Sequence, residues 1–167
     1  PALAEGNVKL QVMAIFTATQ KGSTALALRQ SEIFASFLTK YPNDCTLIDD
    51  VSTLGQIATS SKLGMIAAIE NASGFCEEDE QLEIGLERLE QIIANTKRIL
   101  YIGFTHHAEN RFGGGNNSKV GLKEDGKTVL QYLNGKKIAV DFSHASDALA
   151  HDILDYVSEH SLDIPIL

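Results

Sequence analysis

The chain has 167 residues, of which 44% are apolar and 22% are charged, and this composition is typical of one globular domain. Its 22 acidic and 14 basic residues give a net charge of −8, which argues against a nucleic acid as partner because phosphate binding requires a basic surface. No apolar run reaches the roughly 18 residues that a membrane-spanning helix needs, so no membrane span is predicted.

The first half of the chain alternates apolar strands with amphipathic helices. Residues 8–16 are apolar at nearly every position, which predicts a strand that is buried on both faces. After Gly22, apolar residues recur at helical spacing and predict a helix over residues 24–38. The pattern then predicts a turn at 41–44, a short extended piece at 46–48, a short helix near 51–59 and a second buried strand at 64–70.

The second half of the chain repeats this alternation. The acidic residues 77–80 indicate the start of a helix that reaches about residue 95, because negative charge is favourable at a helix N-terminus. A third strand is predicted at 98–104, followed by a loop rich in glycine and asparagine at 106–120. The remaining predictions are a helix at 123–133 that ends at Asn134-Gly135, a strand at 137–142, a helix at 147–158 and the opening of a fifth strand at 164–167.

Alternating strands and helices are typical of a parallel α/β fold, here a single domain over residues 1–167. Periodicity alone does not distinguish a (β/α)8 barrel from a doubly wound sheet. No G-x-G-x-x-G pattern follows the first strand, so a dinucleotide-binding fold gains no support. The glycine run at 113–115 is only a weak signal for a phosphate cradle, because it does not open a helix directly.

The two cysteines, Cys45 and Cys76, form no C-x-x-C pair and fit no zinc-binding spacing. We interpret them as free thiols in a reducing compartment, although the sequence leaves a disulfide between them open.

Polar side chains follow three of the predicted strands where each strand ends. Glu70 ends the second strand, His106 and His107 follow the third, and His144 follows the fourth. Because catalytic side chains of parallel barrels come from the carboxyl ends of strands, these residues are expected to share one edge. A carboxylate with two histidines suits Zn²⁺ or a similar divalent ion.

Each of these side chains also has a purely structural interpretation. Glu70 could form an ion pair at the rim of the sheet, although its position after an apolar strand would require a compensating cation or donor. The paired histidines could be loop residues exposed to water. His144 could be a hydrogen-bonded rim histidine, in a segment where Ser143 or Ser146 caps the next helix.

Two further features are interpreted as surface. His151 and His160 lie on the last predicted helix and at its end. The acidic run 77–80 is expected to be solvated, and it lacks the D-x-D-x-D-G pattern of a calcium loop.

Four segments, in this order, carry a resemblance to a known family: GMIAAIENASGF, YIGFTHHAENRFGGGN, GLKEDGKTVLQYLN and AVDFSHASD. They resemble the renal, or membrane, dipeptidases, which are dinuclear zinc metallopeptidases with an amidohydrolase-like (β/α)8 barrel. The resemblance extends over about residues 2–167, and its most specific part is the D-F-S-H-A-S segment.

The resemblance implies a role for individual residues. Glu70 corresponds to the carboxylate that bridges two zinc ions, and His144 to a ligand of the second ion. His106 corresponds to the catalytic histidine that contacts the substrate near the scissile amide, with His107 as the alternative. Asn110 is implied in substrate binding. Members of the family hydrolyse dipeptides, often with a D-residue at the carboxyl side, and a water that bridges the two ions is the nucleophile.

The sequence departs from the family at several ligands. The family's first strand carries an H-x-D pair, and no H-x-D occurs here. A second metal-binding histidine, a late aspartate and a substrate-binding arginine would lie beyond residues 164–167. The resemblance therefore implies an internal fragment of a bacterial-type member, with a partial (β/α)8 barrel of about strands two to six of eight.

A fragment of this kind leads to further expectations. The chain alone is expected to bind zinc weakly and to be inactive, because two ligands do not hold a dinuclear site. Open strand edges predict a homo-oligomer. A cytoplasmic location is favoured, since no signal peptide is visible. The alternatives are another metal-dependent amidohydrolase of the same barrel superfamily and a non-catalytic scaffold protein.

Overall fold

A computed structural model describes residues 2–167 of the chain. Strands and helices alternate along these residues, with a short helix before the first strand. The strands are β1 (Leu10–Ile15), β2 (Cys45–Leu47), β3 (Leu63–Ile69), β4 (Ile99–Gly103) and β5 (Ala139–Asp141). The helices are α1 (Ala2–Glu5), α2 (Ser23–Lys40), α3 (Val51–Ile57), α4 (Leu82–Thr96), α5 (Glu124–Leu133) and α6 (Asp147–Glu159), and a 3₁₀ turn spans Ala72–Gly74.

The five strands form one sheet in which every pairing is parallel. Strand β1 lies along the whole of β3, from Leu10 opposite Gly64 to Ile15 opposite Ile69. The other edge of β3 is shared, because β2 pairs with its amino half and β4 with its carboxyl half. Strand β5 then pairs with β4. The carboxyl ends of β1, β3, β4 and β5 consequently lie at one edge of the sheet.

The carboxyl-terminal residues add a further parallel pairing beside β5. Ile166 forms a bridge with Val140, and the amide of Leu167 donates to the carbonyl of Val140 over 2.9 Å. The predicted opening of another strand at residues 164–167 is confirmed.

Strand β3 is the centre of the core, and its residues from Met65 to Ile69 are at most 4% exposed. On one side the sheet is covered by helices α2, α4, α5 and α6, through apolar side chains that recur at helical spacing: Phe34, Leu89, Ile92, Leu130, Leu133, Leu149 and Ile153. On the other side lies a smaller cluster of Ile48, Ile57 and Ile66, flanked by Val12 and Leu100. Most of the apolar burial is therefore on the helix-covered face.

The prediction that the first strand is buried on both faces is wrong. In β1 only Ile15 is buried, while Leu10 and Met13 are 39% and 37% exposed. Strand β1 is exposed because it is the edge strand among the residues described and pairs with only one neighbour, β3. Its carboxyl end is closed by Gln30, whose side-chain amide accepts from the Phe16 amide and donates to the Phe16 carbonyl.

The other predicted elements are present, and most of their ends differ by one or two residues. Strand β5 is shorter than predicted, and the sequence did not predict α1 or the 3₁₀ turn. Gly135 follows α5 with a left-handed φ of 73°, as expected of a glycine that ends a helix. Of the two serines considered as caps for α6, Ser146 takes that role and accepts from the Leu149 amide. None of the helices in the described part of the chain has both the length and the apolar character to cross a membrane.

Cys45 and Cys76 are both buried and both free, as predicted. Burial raises the pKa of the Cys76 thiol to about 11, although the charge of Arg111 opposes the shift. Burial and the charge of Asp44 raise the pKa of Cys45 as well. Both sulfurs therefore stay protonated at neutral pH, and a protonated thiol is a poor nucleophile.

We predict that neither thiol reacts with a disulfide reagent in the folded protein at pH 8, and that both react once the chain is unfolded in guanidinium. A time course of thiol release, with and without denaturant, measures this. Rapid modification of the native protein would contradict the buried positions of the two cysteines.

Candidate functional site

The predicted site residues follow the strands β3, β4 and β5 and lie together at the carboxyl ends of these strands. Glu70 directly follows β3, His106 comes three residues after β4, and His144 comes three residues after β5. The parallel pairings of these strands bring their carboxyl ends together, so residues far apart in sequence become neighbours.

Glu70 lies between the two histidines. Its Oε1 atom is 3.2 Å from Nε2 of His144 and 3.7 Å from Nε2 of His106. The carboxylate side chain is 32% exposed, and each imidazole is 24% exposed. The cluster is therefore partly desolvated but open to solvent on one side, as a site for a ligand or ion requires.

The electrostatics of the cluster favour neutral imidazole at His106. Burial lowers the pKa of His106, and the neighbouring His107 and His144 lower it further, while the Glu70 carboxylate opposes the shift. Metal ligation requires the neutral form of histidine. The Nδ1 atom of His144 is buried and has no hydrogen-bond partner among the described residues, so no hydrogen bond there fixes which ring nitrogen carries the proton. Carboxylate and imidazole together are a donor set that a zinc-like ion prefers, so these residues fit a metal.

His107, which the sequence offered only as an alternative to His106, belongs to the same cluster. The ring centroids of His106 and His107 are 3.9 Å apart, those of His106 and His144 are 4.3 Å apart, and those of His107 and His144 are 5.3 Å apart. The structure therefore brings three imidazoles together, where the sequence predicted two.

The glycine run at 113–115 holds the two histidine-bearing turns together. A Cβ atom on Gly115 would lie 2.0 Å from the carbonyl oxygen of His106 and 2.6 Å from that of Ala108. Gly115 also forms an antiparallel bridge with Ala145, next to His144. The run is a site of close backbone approach, which only glycine permits.

Asn110 is 1% exposed, and all of its polar atoms contact protein. Its amide nitrogen donates to the oxygens of Phe104, Asn71 and Ser73, and its oxygen accepts from the amides of Phe112 and Gly113. These bonds join the loop after β4 to the loop that follows Glu70. Direct contact between Asn110 and a substrate stays a prediction, and it would require some of these bonds to open.

Arg111 anchors the same loop, and the sequence gave no signal for it. Its Nε atom donates to Asp125 over 2.8 Å, and its Nη1 atom donates to the carbonyl of Glu80 over 2.7 Å and lies 3.0 Å from the Cys76 sulfur. A partly buried arginine could have been suspected only from the acidic residues that surround it in space, which are distant in sequence.

The acidic run 77–80 is only partly solvated, contrary to the prediction. Glu78 and Asp79 are exposed, but Glu77 accepts from the amide of Gly22 over 2.7 Å at the start of α2. Glu80 pairs with Arg88 at 2.6 Å. The prediction failed because the run also faces another helix's N-terminus, where negative charge is stabilising. His151 and His160 are exposed on and after α6, as predicted.

The sequence matches the membrane dipeptidase family, peptidase family M19, over residues 1–160. No curated protein sequence was matched. Among solved structures, an amidohydrolase from Pseudomonas aeruginosa is similar with a TM-score of 0.74 and 13% identity, covering 92% of this chain and 44% of that chain. A probable dipeptidase, PvdM, from the same organism has a TM-score of 0.73 and 17% identity, covering 92% of this chain and 42% of that chain.

A third similar structure is a metallopeptidase from Rhodobacter sphaeroides liganded with a phosphinate mimic of the dipeptide L-Ala-D-Ala. It has a TM-score of 0.68 and 14% identity, covering 94% of this chain and 42% of that chain. The chain thus spans less than half the length of these structures. The likenesses confirm the predicted fold, a parallel α/β sheet that forms part of a barrel.

We predict that Gly115→Ala lowers the free energy of unfolding by about 1–3 kcal/mol, because the added methyl group overpacks the His106 turn. Gly55→Ala is the matched control, since a Cβ there meets nothing within 4 Å, and helix α3 should gain about 0.5–1 kcal/mol. Urea denaturation measures both changes. A Gly115→Ala protein as stable as the unaltered chain would show that the loop does not need this close approach.

Proposed function

The chain belongs to the membrane dipeptidase family, peptidase family M19, and we propose that it is part of a metal-dependent enzyme that hydrolyses dipeptides. One observation supports the proposal above all. Glu70, His106 and His144 come from the ends of three neighbouring strands, and Nε2 of each histidine lies within 3.7 Å of the Glu70 Oε1 atom. The expected cofactor is a pair of zinc ions, which would lower the pKa of a bound water and stabilise the negative charge that develops on the amide oxygen.

In this proposal each residue of the cluster has a distinct role. Glu70 would supply a carboxylate ligand and His144 an imidazole ligand for the metal ions. His106 is the catalytic residue that contacts the substrate. Its lowered pKa keeps the ring neutral, so that it can donate one N–H to the substrate carbonyl as negative charge grows there.

The position of His106 is held from two sides. The ring of Phe16, in the loop after β1, lies 4.8 Å from the His106 ring between centroids. On the other side, the Glu70 carboxylate faces Nε2. A ring restrained in this way loses less freedom when a substrate binds, which favours a positioned donor over a mobile one.

The substrate class is proposed to be dipeptides with a D-residue at the carboxyl side. The Rhodobacter sphaeroides metallopeptidase of similar fold is liganded with a mimic of L-Ala-D-Ala. A second candidate function is hydrolysis of another amide, because a further similar structure is described as an amidohydrolase. Substrate profiling separates the two, since only a dipeptidase needs both termini of a short peptide.

We further propose that the 167 residues alone do not hydrolyse dipeptides. They span 42–44% of the length of the three similar structures, and the sequence contains no H-x-D pair to complete a dinuclear site. A carboxylate and one histidine ligand do not hold two ions against water.

The longer protein that contains this chain is expected to hydrolyse L-Ala-D-Ala, to lose activity with a chelator and to regain it with zinc. Glu70→Gln and His106→Ala should each lower kcat by at least about 100-fold, because the first removes a charged metal ligand and the second removes the donor to the substrate carbonyl. His151→Ala, an exposed histidine on α6, is the matched control and should change nothing.

Steady-state kinetics with zinc-loaded protein measures these effects. A longer protein that binds two zinc ions yet cleaves no dipeptide would overturn the proposed activity. Turnover by the 167-residue chain that a chelator abolishes would overturn its proposed inactivity.

We also propose that the chain forms a homo-oligomer through β1. Met13 in the edge strand β1 and Phe16 directly after it are exposed, and α2 beside them exposes Ile33 and Phe37, each between 37% and 50%. Exposed apolar side chains next to an unpaired strand edge favour association.

Light scattering after size-exclusion chromatography should therefore give a mass above 18.1 kDa. The double variant Met13→Lys, Ile33→Lys should be monomeric, because buried charge opposes the interface. Leu154→Lys, on the exposed face of α6, is the control and should leave the mass unchanged. A monomer at high protein concentration would contradict the proposal.

A further inference from the structure

We propose that His106, His107 and His144 form a three-imidazole site for one zinc-like divalent ion within this chain. The site uses His107, a residue for which the proposed dipeptidase mechanism has no role. It shares two histidines with that mechanism but does not depend on it, because the evidence is the arrangement of the three rings.

The distances suit a single ion. One ligand nitrogen from each of the three histidines lies within 4.8 Å of the others. Nitrogens bound to a tetrahedral zinc ion at roughly 2.0–2.1 Å are about 3.4 Å apart. Small side-chain rotations would close the difference, and His107 is exposed, so little packing opposes a small shift of its ring.

His107 has the hydrogen bond that a metal-binding histidine usually makes. Its Nδ1 atom lies 3.0 Å from Oδ1 of Asn116, an oxygen that can only accept, so Nδ1 carries the proton. The lone pair of the neutral ring is then on Nε2. Outer partners of this kind fix the tautomer and orientation of histidines that bind metals.

Asn116 is itself held by the backbone. The preceding Gly115 bridges Ala145, and the following Asn117 donates its amide to the carbonyl of His107 over 2.9 Å. The loop therefore connects the turn that carries His107 to the turn that carries His144. The geometry of the cluster is built by the fold and not by side-chain contacts alone.

The remaining groups favour a cation. Nδ1 of His144 is buried and has no hydrogen-bond partner in the described part of the chain, so its imidazole has unused hydrogen-bonding capacity. Glu70 adds negative charge 3.2 Å from His144 and 3.7 Å from His106. Three imidazoles beside one carboxylate suit Zn²⁺, Co²⁺, Ni²⁺ or Cu²⁺ and not Mg²⁺ or Ca²⁺, which prefer oxygen ligands.

The three-imidazole site would bind one metal ion, whereas the proposed hydrolysis needs two. Weak zinc binding, the expectation from the sequence, counted only Glu70 and His144 as ligands. With His106 and His107 added, the chain has the ligands for a mononuclear site but still lacks those for a second ion.

Titration of the 167-residue chain with Co²⁺ alone, read by visible absorption, and with Zn²⁺ alone, read by calorimetry, tests the proposal. We expect one ion per chain with the absorption of a four-coordinate site. Asn116→Ala should weaken binding by about 10- to 100-fold, and His107→Ala should weaken it more. His151→Ala and His160→Ala remove exposed histidines elsewhere and are the matched controls.

Circular dichroism of each variant establishes that it is folded. Unchanged binding by a folded His107→Ala protein, or no binding by the unaltered chain, overturns the three-imidazole site. Neither result affects the proposed dipeptidase, which is tested by the kinetics of the longer protein and its Glu70→Gln variant. Conversely, if the longer protein shows no dipeptidase activity while the 167-residue chain still binds Co²⁺, the proposed dipeptidase fails and the three-imidazole site stands.

Discussion

The parallel pairing of β3, β4 and β5 is the constraint on which the site depends. Parallel strands end at the same edge of a sheet, so the residues that follow them meet, whatever their distance along the chain. Glu70 and His144 are 74 positions apart in sequence and 3.2 Å apart in space for this reason. The central strand β3 can occupy this position because its apolar residues tolerate burial on both faces, which an alternating strand would not.

Parallel strands alone would bring the loops close without fixing them. The buried hydrogen bonds of Asn110 join the loop after β4 to the loop after β3, and the hydroxyl of Thr105 donates to the His144 carbonyl after β5. Close packing at Gly115 adds a contact that no other residue would permit. Buried hydrogen-bond networks such as that of Asn110 restrain the loops they join, and a catalytic or metal-binding cluster requires this rigidity.

Two kinds of chemistry thus meet at one edge of the sheet. Family membership points to a hydrolase that acts on peptides, and the proposed metal ligands for that activity are Glu70 and His144. The local geometry points to three imidazoles around one ion, with His107 oriented by Asn116. Because the two share His106 and His144, the three-imidazole site is proposed for the 167-residue chain alone, and the dinuclear site for a longer protein.

Apolar periodicity and short motifs are local properties, so the sequence was enough to predict the order of the elements, the parallel α/β class, the family and the candidate site residues Glu70, His106 and His144. The exposure of β1 is visible only in the fold, since burial depends on which neighbours a strand has. The same is true of Asn110, which faces the protein, and of His107, which joins the cluster. These depend on contacts between residues distant in sequence, which no local pattern records.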